Sequence, residues 1–431
     1  MRRLFSLLAL SLALTATAAD APLSLDEVLR HADQPHPDLG VAQAQSELAR
    51  AEQMLADSQD DFRLTLEAGL RSGRNTLNGD HFEPDHFARL NARKLLWDGG
   101  RTGLASEAAL LERGGRDGQL LDALAQRRLA LATRFFDVLM TDLQYAADTE
   151  FSAVAYVSWD NARDRHLLGE ISSVQLAEFE ARYQEARLKR NDTLRRAREK
   201  RALLAAAMNR PGELPSELLD PEIRGNDRPL PEFKELLAML EANNPRLLAQ
   251  RQLLAASQKR LEAQRAEYRP SLEFEAETAA YSREASTRDN LRAGLNLVWP
   301  LWQGQRVDAR VAREQAQFQL LQSQYERLVL DLRQTLYETR EEIAHLRESE
   351  RPAARVNSTM RDLSLERARA EYELELKTNL GTSMAETQMA RMRRKAVEYR
   401  LALAWERLAA LLGRPVEAIA RDEPAKENSK S

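Results

Sequence analysis

The chain has 431 residues, of which 30% are charged, and its mean hydropathy is -0.55. This polarity excludes a bundle of apolar membrane helices, and the near balance of 63 basic and 67 acidic residues gives no footprint for nucleic acid. Because the chain contains no cysteine, a disulfide framework is excluded as well.

The start of the chain, from Met1 to Ala19, has the pattern of a secretory signal peptide. Arg2 and Arg3 precede an apolar run from Leu4 to Leu14, and small residues follow up to Ala19. A transmembrane helix needs about 20 apolar residues, so this shorter run favours a cleaved signal over a membrane anchor. We therefore predict that the mature protein, which begins near Asp20, is exported.

An internal repeat organises the rest of the chain. Pro37 and Pro245 each open a helical stretch, and each stretch leads into a strand, at Leu64 and Leu272, so both landmarks recur at the same offset of 208. The Leu-Trp-x-Gly-x-Arg segments 96–101 and 301–306 recur at an offset of 205, and Arg-Pro pairs follow near 210 and 414. Four landmarks in the same order predict a duplication. The predicted repeats cover 20–211 and 231–416, with a connector at 212–230 and a charged, disordered tail at 417–431.

Each repeat contains two stretches in which apolar and polar residues alternate, which is the pattern of a strand with one apolar and one polar face. The pattern is clear after Arg63, after Leu272 and after Leu291, whereas Arg93 and Lys94 interrupt the strand expected from about Phe87 to Trp97. Each strand is expected to run for about 10 residues, the length that a tilted membrane strand needs. The joining segments, 72–85 and 282–289, are interpreted as polar outer loops.

A long helix is predicted after each pair of strands. No proline occurs from Arg101 to about Leu168, and helix of that length would extend for about 100 Å. Apolar residues at three- and four-residue steps form a seam on each long helix: Leu129, Ala132, Phe136, Leu139, Leu143 and Ala146 in the first, and Phe318, Leu321, Tyr325, Leu328 and Leu332 in the second. Pro352 should kink the second helix. Ser172 and Thr378 are predicted to cap the helices that return after each turn.

Four membrane strands cannot close a barrel, because an open sheet edge is not tolerated in lipid. The chain is therefore expected to form oligomers, and three copies with 12 strands would leave room for a pore. The polar rows contain Arg63, Glu67, Glu273, Glu275 and Glu277, which suit a water-filled lumen.

The duplicated layout, the Leu-Trp-x-Gly-x-Arg junctions and the helical returns resemble the TolC-like outer-membrane efflux protein family. The resemblance covers the chain from Leu23 to about Pro415. It implies a mainly α-helical protein with membrane β-strands, forming a homotrimer in the outer membrane of a Gram-negative bacterium. A 12-stranded barrel would continue into a periplasmic α-helical barrel. It also implies that the channel docks onto a periplasmic adaptor of an inner-membrane transporter and exports small molecules such as drugs. Secretion of proteins by a type I system is the alternative within the family.

The resemblance further assigns roles to the turns. The residues that would contact the adaptor are Gly169, Ile171, Ser172, Ser173, Val174, Lys377, Thr378, Asn379 and Leu380. Well-known members of the family narrow the tip with aspartates after the second turn, but Gly381 and Met384 stand at those places in this chain. Glu375 and Glu386 are the nearest acidic candidates for an aperture, although both could be solvated helix charges. The strand-to-helix junctions comprise Trp97, Gly99, Gly100, Arg101, Trp302, Gly304 and Arg306.

The sequence gives little support for a metal site, a phosphate-binding loop or an enzyme active site. His81 and His86 share a loop with acidic residues, but no frame fixes them as metal ligands, and a polar loop is the preferred interpretation. Gly99 and Gly100 lack the lysine and the spacing of a phosphate-binding loop. We predict no catalytic residues, no metal and no cofactor. The competing interpretation is a soluble periplasmic coiled-coil scaffold. The alternating strands with terminal tryptophans favour the channel over this scaffold.

Overall fold

The computed structural model describes residues 22–74, 82–215, 217–282, 289–374 and 380–414. The predicted signal peptide, the charged tail and most of the second turn lie outside these ranges. In chain order the elements are α1 (Leu25–Arg30), α2 (Pro37–Asp57), β1 (Arg63–Gly69), β2 (Ser72–Arg74), β3 (Phe82–Pro84), β4 (Phe87–Trp97), α3 (Arg101–Leu167), α4 (Ser173–Ala207), α5 (Phe233–Asn243), α6 (Pro245–Arg265), β5 (Ser271–Tyr281), β6 (Leu291–Val298), α7 (Arg306–His345), α8 (Arg351–Glu373) and α9 (Leu380–Leu412).

Four strands form one antiparallel sheet in the order β1-β4-β5-β6. The register is the same within both repeats: Arg63 pairs with Arg93 in the first, and their counterparts Ser271 and Val298 pair in the second. Two strands, β4 and β5, reach the expected length with 11 residues each, whereas β1 and β6 are shorter than expected, with seven and eight. The segment 72–85 was wrongly predicted as a loop only, since β2 and β3 pair within it and prolong the first hairpin.

The two charges that interrupt the pattern of β4 lie on opposite faces of the sheet. Arg93 is paired in register with Glu275, so it belongs to the polar face. Lys94 is opposite Phe274 on the apolar face, near the helical end of the strand. A lysine can occupy such an end because its long stem lets the charged group reach water. The strand therefore forms over its whole predicted length in spite of both charges.

The long helices differ between the repeats. α3 is continuous over 67 residues, which corresponds to about 100 Å. In the second repeat a π-helical segment, Leu346–Glu350, separates α7 from α8. Pro352 lies in the first turn of α8, directly after this segment. The regular α-helix is thus interrupted just before the proline, and the wider π turn accommodates it.

Two hydrophobic clusters hold the helices together. One joins α1, α3, α4 and α9 and contains Phe135, Phe136 and Leu204, while the other joins α5, α6, α7 and α9 and contains Leu336 and Leu401. The first predicted seam is partly right: Ala132, Phe136 and Leu139 are buried, but so are Leu131, Phe135 and Val138, because α3 packs against helices on more than one side. In the second seam Leu332 is buried and the other four residues are half-buried.

The segment that follows α4 runs over the second repeat. Leu23 and Leu218 form a parallel β-bridge, and the hydroxyl of Tyr399 donates to Asp220 at 2.6 Å. Further along, Asn226 Nδ2 donates to Glu398 at 2.8 Å, and the guanidinium of Arg351 binds Asp227. These contacts fix the connector to α8 and α9. In the described part of the chain, no helix has an apolar stretch long enough to cross a membrane.

Candidate functional site

The polar face of the sheet contains alternating charges. Glu67 binds Arg89 at 2.8 Å, Glu275 binds Arg93 at 2.9 Å, and Glu277 binds Arg292 at 3.3 Å. The strand registers place all five predicted lumen residues, Arg63, Glu67, Glu273, Glu275 and Glu277, on this one face. The opposite face consists mostly of leucine, alanine and phenylalanine. Several of its leucines are exposed in the single chain, and Leu66 is exposed to 71%. One face thus suits water and the other suits lipid.

The first strand-to-helix junction is built around the buried carboxylate of Asp98. One of its oxygens accepts hydrogen bonds from the backbone N–H of Thr102 at 2.8 Å and from the Thr102 hydroxyl at 2.6 Å. Its other oxygen accepts from the N–H of Gly100 at 3.2 Å. These N–H groups belong to the open end of α3, which Asp98 therefore caps. Arg101 lies 3.5 Å from the same carboxylate.

Both glycines of this junction have positive φ angles, +69° for Gly99 and +86° for Gly100, which explains their presence at the end of the strand. Gly99 is also sterically required, because a Cβ there would lie 2.5 Å from the Cβ of Arg269. The guanidinium of Arg269 donates to the carbonyl of Gly99 at 2.5 Å, so the junction is tied to the segment just before β5 of the second repeat. Trp97 is half exposed at the end of the strand.

The second junction differs in its turn, since Gln305, the counterpart of Gly100, has a φ of -84°. Gly304 has a φ of +62°, and the Arg306 guanidinium donates to the side chain of Gln303. Val307 replaces Thr102 at the start of the helix and is fully buried. Trp302 is exposed to 88%, so its ring has little cover among the described residues. The two junctions thus share only the positive φ of their first glycine, and the buried carboxylate that caps the helix at the first junction is replaced by a glutamine at the second.

The first turn is compact and hydrogen-bonded. Gly169 has a φ of +78°. Its N–H donates to the carbonyl of His166 at 3.0 Å, and the N–H of Glu170 donates to the carbonyl of Arg165 at 2.9 Å. Ser172 caps α4 as predicted: its hydroxyl accepts from the N–H of Gln175, whose side chain accepts from the N–H of Ser172. Ile171 is half-buried and its carbonyl accepts from His166 Nδ1 at 2.9 Å.

Apolar side chains surround this turn on the outside. Leu167, Leu168 and Val174 are exposed to 79%, 75% and 69%, and Ser173 beside them is exposed as well. Three large apolar side chains with so little cover at the end of a helical hairpin form a surface that suits a protein partner. Sequence reasoning chose Val174 and missed Leu167 and Leu168, although their position at the predicted end of the helix could have indicated them.

Of the second turn only the flanks are described. Glu375, Lys377, Thr378 and Asn379 lie outside the described residues, and α9 begins at Leu380. A Cβ at Gly381 would lie 3.3 Å from Val154 of α3, so this glycine faces the first repeat. Met384 is partly exposed at 42%. The carboxylate of Glu386 is bound to the guanidinium of Arg361 on α8, so within the chain it already has a cation as its partner.

An aromatic cluster above the first turn was not foreseen from the sequence. The rings of Trp159 and Tyr183 are stacked with centroids 5.4 Å apart, and Tyr156 meets Tyr183 edge to face at 5.5 Å. Arg163 lies over the Trp159 ring at 5.7 Å. The cluster joins α3 to α4 near the tip. Tyr156 and Trp159 stand one helical turn apart, and this spacing was the available signal.

The histidine pair in the outer hairpin is only partly described, because His81 lies outside the described residues. His86 Nδ1 accepts from the N–H of Arg71 at 3.2 Å, which gives it a role in the hairpin. The described residues contain no group of three or more side chains that could hold a metal ion.

The comparisons with known proteins agree with this geometry. The family model described as outer membrane efflux protein matches residues 236–414, which is most of the second repeat. Among curated proteins, none matches the chain significantly by sequence.

Solved structures match nearly the whole chain. CmeC, an outer membrane channel of Campylobacter jejuni, has a TM-score of 0.76 at 13% identity, over 90% of this chain and 85% of its own. For VceC, an outer membrane protein of Vibrio cholerae, the TM-score is 0.74 at 16% identity, and the match covers 91% of this chain and 96% of VceC. For MtrE, an outer membrane channel of Neisseria gonorrhoeae solved in its open state, the TM-score is 0.65 at 17% identity, and the match covers 90% of this chain and 89% of MtrE.

The resemblance that the sequence predicts is confirmed by the family model over residues 236–414. Residues 236–414 match the model of the outer membrane efflux protein family, and the chain as a whole has the fold of these outer-membrane channels.

Proposed function

We propose that the chain is one subunit of a trimeric outer-membrane duct through which a tripartite system exports small molecules from the periplasm. The observation that carries this proposal is the four-stranded sheet, continued by a helix of about 100 Å. The sheet has one apolar face, one charged face and, in the described part of the chain, two unpaired edges. Such a sheet is soluble neither in water nor in lipid until its edges are paired.

The number of copies in the proposed duct follows from the width that its lumen needs. Two copies give about 8 strands, whose interior is filled by side chains, whereas three copies give about 12 and leave a pore. The rows of Glu67–Arg89, Glu275–Arg93 and Glu277–Arg292 pairs would line that pore. A wall of paired charges offers a wet path without a strong preference for either sign of cargo.

The periplasmic ends of the helices are proposed to meet the adaptor. The exposed leucines and Val174 around Gly169 supply an apolar surface, and Leu380 begins the corresponding helix of the second repeat. Lys377, Thr378 and Asn379 belong to the same proposed surface by position in the sequence. The aperture, formed around Gly381 and Met384, would then be lined by small and apolar side chains, since Glu386 is engaged by Arg361.

Fractionation of cells that express the full chain tests the location and the assembly. We expect recovery from outer membranes only with detergent, as a species of three subunits by light scattering. Recovery in the soluble periplasmic extract without detergent would contradict the duct and support a coiled-coil scaffold instead.

Crosslinking in living cells, followed by purification, tests the partners and the class of cargo. An adaptor together with an inner-membrane pump for small molecules is expected. Recovery of an adaptor together with an inner-membrane ATPase for protein export would replace small-molecule efflux by type I protein secretion, the alternative that uses the same duct.

A further inference from the structure

The polar face of the sheet holds an aromatic ring between two guanidinium groups, at the end that lies away from the helices. The ring is that of Phe87 in β4, and the Cζ atoms of Arg71 and Arg89 lie 4.8 Å and 4.9 Å from its centroid. Both distances are within the range of a cation–π contact. We call these three side chains the arginine stack.

The register of the first hairpin explains how the arginine stack forms. Gly69 pairs with Phe87, and Glu67 pairs with Arg89. Residues two apart in a strand share a face, so Arg89 lies one step farther in than the ring. Arg71 follows Gly69 by two residues and lies one step farther out. All three side chains therefore stand on the same face as Glu67, which is the proposed lumen face.

Gly69 makes room for the ring. A Cβ at this position would overlap the Phe87 side chain, with the Cζ atom of the ring at 2.8 Å. The ring therefore lies directly over the glycine and leans across the sheet toward β1. A ring held in this way keeps a fixed place beside both guanidinium groups.

The two arginines of the stack differ in how their charges are paired. Arg89 binds Glu67 at 2.8 Å, so its charge is neutralised within the chain. Arg71 is exposed and forms no ion pair in the described part of the chain, where its guanidinium contacts the Phe87 ring. The N–H donors of Arg71, and the face of its guanidinium that points away from the ring, are thus available to a ligand.

The backbone of Arg71 is fixed by hydrogen bonds on both sides. Its N–H donates to Nδ1 of His86 at 3.2 Å, and its carbonyl accepts from the N–H of Asp85 at 2.8 Å. With its backbone bonded and its guanidinium on a ring, Arg71 has little freedom left to lose when a ligand binds. Such preorganisation favours binding over that of a mobile surface arginine.

The second repeat has no such stack. The place of the paired Gly69 and Phe87 is taken there by Glu277 and Arg292, which are also paired in register and form an ion pair at 3.3 Å. The counterparts of the two arginines are Ala279 and Gly294. The second hairpin therefore forms without the stack, which shows that strand pairing in this fold does not require it.

A second ring lies at the level of the stack. Tyr281 of β5 pairs in register with Phe87 and is half-buried. In the four strands of the sheet, all of which are described, these two are the aromatic residues on the polar face. Three copies of the chain would carry three arginine stacks around the outer mouth of the proposed pore.

The chemistry of the arginine stack suits a planar organic anion. A guanidinium group binds a carboxylate, or a similar oxyanion, through paired N–H donors, and its flat face stacks on aromatic rings. Phe87 covers one face of the Arg71 guanidinium, so the ring of a ligand can cover the other. An aliphatic anion would gain only the charge interaction, and an aromatic cation would be repelled.

We propose that the arginine stack is a binding subsite for planar organic anions at the outer mouth of the lumen. Arg71 contacts the ligand, and Phe87 is the residue that positions Arg71. This inference rests on the proposed duct, and it names a class of cargo that the last part of the path favours. Binding is weak enough for the ligand to leave, as a conducting pore requires.

Ligand-detected NMR titration of the detergent-purified protein tests the subsite, because this method measures weak binding. The probes are naphthalenedisulfonate and ethanedisulfonate, which carry the same charges with and without an aromatic ring. We expect naphthalenedisulfonate to bind about tenfold more tightly. Equal affinity for the two probes, or no binding of either to a trimeric protein, would overturn the proposal.

Variants assign the binding to the stack. Arg71→Gln keeps an exposed polar side chain without the guanidinium, and it should weaken the binding of naphthalenedisulfonate about tenfold. Phe87→Leu keeps an apolar cover over Gly69 without the ring, and it should weaken binding about threefold. Each variant is first shown to form the same oligomer as wild type by light scattering.

The matched control is Arg74→Gln, which removes an equal charge from the same hairpin. Arg74 follows Arg71 by three residues and pairs in register with Phe82, so it belongs to the opposite face of the hairpin. We expect the affinity of this variant to be within twofold of wild type. Equal losses in the Arg71 and Arg74 variants would show that the overall charge of the hairpin binds the probe, and would contradict a site at the stack.

Currents through planar bilayers separate this proposal from the proposed duct. Naphthalenedisulfonate, added on the side of the outer hairpins, should reduce the current reversibly in wild type and much less in Arg71→Gln. A conducting trimer on which the two disulfonates act equally would overturn the subsite and leave the duct intact. Protein that stays monomeric in detergent and does not conduct would instead overturn the duct.

Discussion

The two repeats have the same succession of elements but differ in how rigidly the long helix is built. In the first repeat α3 is one continuous helix that starts on the buried carboxylate of Asp98 and ends in a hydrogen-bonded turn at Gly169. In the second repeat the start has Gln303 in place of the aspartate, and a π turn interrupts the helix before Pro352. A duplicated fold therefore keeps its packing faces while its local caps and turns diverge.

In the second repeat, ion pairs with distant segments support the interrupted helix. Beside the π turn, the guanidinium of Arg351 is nearly buried and binds Glu398 of α9 at 2.7 Å as well as Asp227 of the connector. The counterpart of Arg351 in the first repeat is Ala146, where α3 needs no such clamp. Contacts with distant segments therefore support the second helix at the point where its regular hydrogen bonding is interrupted.

The turn of the first repeat should be the most sensitive site for function. Gly169→Arg puts a bulky charge among the exposed leucines of the proposed docking surface, and we expect it to abolish export. Cells should become as susceptible to toxic compounds as a strain without the gene, while trimers persist in the outer membrane. Gly169→Ala is the matched control. Alanine at this positive φ introduces a similar backbone strain of about 1 kcal/mol but lacks the large charged side chain of arginine. Wild-type export by the arginine variant would show that the turn is not a docking surface.

The clamp beside the π turn should have the largest effect on stability. Arg351→Met leaves the carboxylate of Glu398 without its main partner, and we expect a loss of about 3 kcal/mol at neutral pH. Thermal unfolding in detergent, followed by circular dichroism, measures this loss. Arg355→Met is the control on the same helix, because Arg355 is exposed and 3.5 Å from Glu398, and it should change stability by less than about 1 kcal/mol.

The same clamp predicts a dependence on pH. The Arg351 guanidinium holds the pKa of Asp227 below its usual value of 3.8. Burial by itself would raise the pKa of Glu398, but the hydrogen bonds from Arg351 and Asn226 outweigh burial and lower the pKa below 4.5. A lowered pKa in the folded state gives stability that is present above the unfolded value and is lost as the pH falls through the folded one. The difference between wild type and Arg351→Met should therefore shrink below about pH 4.5, and a constant difference down to pH 3 would contradict it.

A smaller effect is expected at the junctions. Asp98→Ala removes the cap of α3 and should cost about 1 to 2 kcal/mol. Gln303→Ala, at the corresponding position of the second repeat, should cost less than about 0.5 kcal/mol, because Gln303 bonds only the exposed Arg306 among its described contacts. Equal losses in the same unfolding experiment would show that the cap does not distinguish the two junctions.

The smallest effect is expected at the ends of the returning helices. Asn209 has a φ of +60°, and its counterpart Gly413 has a φ of +61°. Asn209→Gly relieves the side-chain strain of the left-handed conformation but loses a long hydrogen bond to Pro35, so stability should change by less than about 0.5 kcal/mol. A clear loss by thermal unfolding would assign that hydrogen bond a larger role.

The sequence by itself determined the repeat, the order of strands and helices, the long helix from Arg101 and the cap at Ser172. These features depend on neighbours along the chain, namely periodicity, proline, glycine and short-range hydrogen bonds, and such neighbours are visible in the sequence. The lengths of β1 and β6, the hairpin of β2 and β3, and the wider buried surface of α3 were decided by pairing and packing between distant segments.

Only the tertiary structure showed that Arg93 and Lys94 belong to opposite faces, that Glu386 is engaged by Arg361, and that Arg351 clamps the connector to α9. In each case the partner is far away in the sequence, so no local pattern announces it. The duplication was readable from the sequence, but the register of β4 on β5, which joins the two repeats in one sheet, was not.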